Sequence, residues 1–74
     1  MDKAIIMEFA GNFLSKYKHL TAPALQKFIM NRDEVGKAVS IEDIEDSLSM
    51  LYCGKFIKII HSSEDGTVYV KDRD

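Results

Sequence analysis

The sequence predicts an α+β domain: three helices in succession, then a C-terminal two-stranded β-hairpin. Three observations predict it. Large apolar residues recur at helical spacing in three separate stretches, two β-branched and aromatic runs follow them, and helix-start and turn residues fall between the stretches. The chain has 74 residues, enough for one small domain and no second, so residues 1–74 are read as a single unit. With 46% apolar and 30% charged residues it has a globular balance rather than that of a disordered chain. A compact chain of this length has a radius of gyration of roughly 11 Å.

The first helix is expected over about residues 3–18. Ile5, Ile6, Phe9, Phe13 and Tyr17 form one stripe at about 100° per residue, with Glu8, Asn12, Ser15 and Lys16 opposite. Thr21-Ala22-Pro23 starts the second helix, expected over about 22–33: a hydroxyl suited to the N-cap, then a proline in the first turn, where a missing N–H costs little. Leu25, Phe28, Ile29 and Val35 continue its apolar face, and Gly36 is a natural stop. Ser40 and Asp43 have the spacing of a capping box at the start of the third helix, expected over 41–53. Ile41, Ile44, Leu48 and Leu51 form its stripe, and Gly54 closes it. The hairpin strands are expected at about 56–61 and 67–71, with residues 62–66 as the turn.

Composition also excludes. One cysteine rules out an intramolecular disulfide framework and suits a reducing, cytoplasmic setting. Met1-Asp2-Lys3 opens no signal-peptide core, and no apolar run is long enough to cross a membrane, so no membrane partner is expected. His19 and His61 lie far apart with no metal-ligand spacing, the six serines have no nucleophile-elbow context, and Glu42, Asp43, Glu45 and Asp46 lack the spacing of a calcium loop. No catalytic residue, metal or cofactor is therefore expected. Cys53, one residue before the helix-closing glycine, reads either as a tolerated small residue or as a contact or disulfide position in a dimer.

Three helices followed by a hairpin within about 70 residues resemble the winged helix-turn-helix superfamily. Leu25, Phe28 and Ile29, then Ile41, Ile44, Leu48 and Leu51, carry the resemblance, and Gly54-Lys55-Phe56-Ile57 is similar to the glycine-then-apolar step into the wing. The resemblance implies a DNA-binding transcriptional regulator acting as a dimer, its third helix in the major groove and its wing on the backbone. Carried onto this chain, the phosphate contacts would be Arg32, Lys37, Lys55 and Lys58. The chain departs from that pattern on the third helix. The side facing away from its apolar stripe holds Glu42, Asp43, Asp46, Ser49, Met50 and Cys53, with Glu45 at the flank. Carboxylates there face phosphates that carry about one charge per 1.7 Å of duplex axis.

Residues 1–39 carry six basic and four acidic side chains, residues 40–74 four and eight, so the halves are +2 and −4. A second reading follows: a winged-helix interaction module or inhibitor whose face of Glu42, Asp43, Asp46, Ser49 and Met50 docks on a basic protein surface.

Overall fold

A computed structural model describes residues 2–32, 39–63 and 66–72, with the backbone alone at residue 32. The element order is α1 (Lys3–Lys16), α2 (Ala22–Arg32), α3 (Ile41–Cys53), β1 (Ile57–Ser63) and β2 (Gly66–Lys71). This is the α+β order expected, in a winged-helix layout, and its radius of gyration is 11.3 Å.

Each helix starts where a side chain satisfies an otherwise unpaired N–H. Asp2 accepts from the Ala4 amide at 3.1 Å, Thr21 Oγ1 from the Ala24 amide at 3.3 Å, and Ser40 Oγ from the Asp43 amide at 3.1 Å. Between α2 and α3, Gln26 Nε2 donates to the Val39 carbonyl at 3.3 Å, which ties the middle of α2 to the chain entering α3.

The core is a single cluster in which Ile6, Ala10, Leu20, Leu25, Ile29, Ile44 and Leu48 are fully buried, joined by Phe13, Leu14, Val39 and Ile57. Phe28 stands edge-on to Phe13 (5.1 Å between ring centroids) and to Phe9 (6.3 Å), so α1 and α2 meet through a T-shaped aromatic group.

The stripe expected on α1 needs correction. Ile6 and Phe13 are buried and Phe9 half-buried, but Ile5 and Tyr17 are 45% and 51% exposed, while Ala10 and Leu14 go inside. The buried arc runs from Phe13 through Ile6 and Ala10 to Leu14, and Ile5 lies about 100° round the helix from Ile6 on the side away from Leu14, outside that arc. Tyr17 is off the helix altogether: α1 ends at Lys16, Tyr17 is extended (φ −126°, ψ 149°), and its ring leans on Phe13 at 4.9 Å. On α3, Ile44 and Leu48 are buried as expected, Ile41 and Leu51 only partly, and Ser47 is fully buried. Ser47 Oγ donates to the Asp43 carbonyl at 2.8 Å, so a polar group enters the core with its hydrogen bond made. The α2 helix ends at Arg32 against the expected 33, and Val35 and Gly36, expected as an apolar position and a stop beyond it, lie outside the described residues.

The hairpin is antiparallel and longer toward its turn than expected. Its ladder runs from Ile57 opposite Lys71 to Ser63 opposite Gly66, with a register shift between Ile59 and His61 that leaves Ile60 as an extra residue on β1. Gly66 has φ +140°, a backbone conformation that suits glycine. Phe56 falls just before β1 rather than in it, although its carbonyl still accepts from the Asp72 amide at 3.1 Å. Leu20, between α1 and α2, supplies one further rung: its N–H donates to the Tyr69 carbonyl at 2.9 Å and its carbonyl accepts from the Tyr69 amide at 2.8 Å. β2 therefore lies between β1 and Leu20.

The exit from α3 is a Schellman motif. The Phe56 amide donates to the Leu51 carbonyl at 3.0 Å, and the Lys55 amide to the Tyr52 carbonyl at 3.1 Å. The residue in the left-handed conformation is Lys55 (φ 64°), not Gly54, which is right-handed (φ −80°). What Gly54 supplies is room, since a Cβ there would come within 2.8 Å of the Phe56 ring. A lysine in the position that glycine usually fills costs stability. Lys55→Gly is accordingly expected to raise stability by roughly 0.5–1 kcal/mol, seen as a higher urea midpoint at unchanged slope. By contrast, Leu48→Ala should lower stability by about 2–5 kcal/mol on the same assay.

Candidate functional site: the outer face of α3 and the cleft beside it

The exposed side of α3 is acidic over its first half, residues 42–46. Glu42, Glu45, Asp46, Ser49, Met50 and Cys53 are exposed and Asp43 is half-buried, and no lysine or arginine occurs from Ile41 to Cys53. The four carboxylates have different structural settings. Glu42 and Asp43 lie in the first turn, where the positive end of the helix dipole stabilises them by about 0.3–1 kcal/mol each. Asp46 reaches Lys3 of α1 at 3.5 Å, an exposed pair that contributes roughly 0–1 kcal/mol. Among the described residues, no cation pairs with Glu45.

Glu45 borders a cleft of about 400 Å³ between the start of α2, the first half of α3 and the hairpin. Ala22 and Pro23 line it from α2, Ile41 and Glu45 from α3, and Ser63, Gly66, Thr67 and Tyr69 from the hairpin. Tyr69 is brought there by the Leu20 rung, which holds the middle of β2 against the helices. Partial burial pushes the Tyr69 phenol above its usual pKa, and the negative charge of Glu45 pushes it in the same direction. The site thus combines a carboxylate, a neutral phenol ring and an apolar wall.

The expected cationic contacts are not gathered on this face. Lys55 sits at the α3 exit and Lys58 on β1, both exposed, past the C-terminal end of the helix. The side chain of Arg32 and all of Lys37 lie outside the described residues, as do Glu64 and Asp65 of the expected turn. Sequence reasoning placed Glu45 only at the flank of the acidic face and gave Tyr69 no role. A hydrophobic β-strand tyrosine 24 positions away carries no sequence signal that links it to a helix glutamate.

Among the described residues, no group of three or more His, Cys, Asp or Glu could hold a metal ion, and no helix is long and apolar enough to cross a membrane. No family model, curated protein or solved structure matches the chain.

The raised Tyr69 pKa has a definite stability consequence. The unfolded chain gives up this proton near pH 10.0 while the folded chain still holds it, so the stabilisation is complete below pH 10.0 and is lost as pH rises through the folded value. The melting temperature should fall above that pH, and Tyr69→Phe should make the fall shallower; equal slopes for the two proteins would contradict the assignment.

Proposed function

We propose that this chain is a non-enzymatic interaction module that docks the exposed acidic face of α3 on a basic protein surface. The observation that carries the reading is the charge of α3 itself: four carboxylates and no cation over Ile41–Cys53, with Glu42, Glu45 and Asp46 all exposed. In a winged-helix layout this is the element that would enter the major groove. Inserted there, it would set four negative charges among phosphates. Lys55 and Lys58 supply two positive charges against those four, and both lie past the C-terminal end of the helix. A basic protein surface reverses the sign of every one of these interactions. Ser49, Met50 and Cys53 extend the acidic face with small or adaptable side chains, and Met50 is 51% exposed.

Duplex DNA of mixed sequence and a short lysine- and arginine-rich peptide, each titrated at about 50 and 200 mM salt, separate the two readings. The expected result is saturable binding of the peptide, weakened about fivefold by Asp46→Lys and unchanged in the Lys55→Glu, Lys58→Glu double variant. Saturable DNA binding that falls steeply with salt and disappears in the double lysine variant would overturn this reading in favour of the nucleic-acid one.

A further inference from the structure

We infer that the cleft between α2, α3 and the hairpin is a receptor for one arginine side chain of the docked protein, with Glu45 as its counter-ion and Tyr69 as its stacking surface. The inference rests on the acidic-face reading and adds a defined subsite to it.

Three features argue for a cation. Glu45 is the carboxylate of α3 that neither opens the helix nor pairs with Lys3, and it borders the cleft. Among the described residues, the lining includes no lysine, arginine or histidine. The start of α2, which would otherwise attract an anion, is largely spent: Pro23 has no N–H, the Ala24 amide is held by Thr21 Oγ1, and the Leu25 amide by the Thr21 carbonyl.

Two features favour arginine over lysine. A guanidinium is planar, so it can lie on an aromatic ring while directing two N–H groups at one carboxylate, and Tyr69 and Glu45 line the same cleft. Its three-carbon stem also needs an apolar wall, which Ala22, Pro23 and Ile41 provide. At about 400 Å³ the cleft falls in the range that takes a small ligand or a side chain, and it is too small for a folded element.

The test is an amide-resolved NMR titration of the full chain with the blocked tripeptides acetyl-Gly-Arg-Gly-amide and acetyl-Gly-Lys-Gly-amide. Saturable shifts at Ala22, Glu45, Thr67 and Tyr69 are expected with the arginine peptide, which should bind about threefold tighter than its lysine counterpart. Glu45→Gln should weaken binding about fivefold, a clearly larger loss than Glu42→Gln causes. Tyr69→Phe should retain the arginine preference and Tyr69→Leu should lose it. If Tyr69→Leu fails to fold, the Glu45→Gln and Glu42→Gln pair still decides, since both positions are exposed. Equal losses from those two variants, or shifts spread evenly over α3, would remove the cleft as a site while leaving the acidic-face reading intact. The absence of saturable shifts up to about 20 mM peptide would also overturn it. DNA binding through Lys55 and Lys58 would instead remove the reading on which it rests.

Discussion

Two backbone hydrogen bonds between Leu20 and Tyr69 join the helical and β parts of this protein. A two-stranded hairpin is marginal by itself, and here one strand gains a rung from the segment between α1 and α2. Leu20 is fully buried, so loss of the partner would leave its amide and carbonyl unpaired away from water, at about 1–3 kcal/mol each. The same rung decides where Tyr69 stands, and so creates the hairpin wall of the cleft that Glu45 borders. Stability and the candidate site share one constraint.

The α3 exit is the second fixed point. The Schellman bonds at Lys55 and Phe56 turn the chain from helix to strand within three residues, so that Ile57 enters the core at the start of β1. That turn places a lysine in a left-handed conformation, against local preference. The core is indifferent to the choice, because Lys55 is exposed and no core contact depends on its side chain. Natural chains keep such costs where something other than packing selects the residue.

The surface divides by element. α3 presents carboxylates and Met50, while the cations at Lys55 and Lys58 belong to the exit and to β1. A helix so charged is tolerated because its acids are deployed economically: two stabilise the N-terminus, one pairs across to α1, and one borders the cleft. An arrangement that leaves a single carboxylate without an internal role, next to an aromatic ring, is how a surface comes to recognise one side chain rather than charge in general.

By itself the sequence determined the element types and their order, the caps at Thr21 and Ser40, the stripe of Ile44 and Leu48, and the acidic outer side of α3. These are local properties: caps act within three residues, and amphipathic spacing repeats every turn. Tertiary structure alone decided the rest. It exchanged Ile5 and Tyr17 for Ala10 and Leu14 on α1, because the axis of burial is set by the neighbours a helix packs against rather than by which residues are largest. It admitted Ser47 to the core because the Asp43 carbonyl four residues back accepts its hydrogen bond. It placed the left-handed conformation on Lys55 and left the helix-closing Gly54 right-handed, a matter of where the helix stops rather than of preference. It also brought Glu45 and Tyr69 to one cleft, across 24 residues, through a backbone rung at Leu20 that no side-chain pattern encodes.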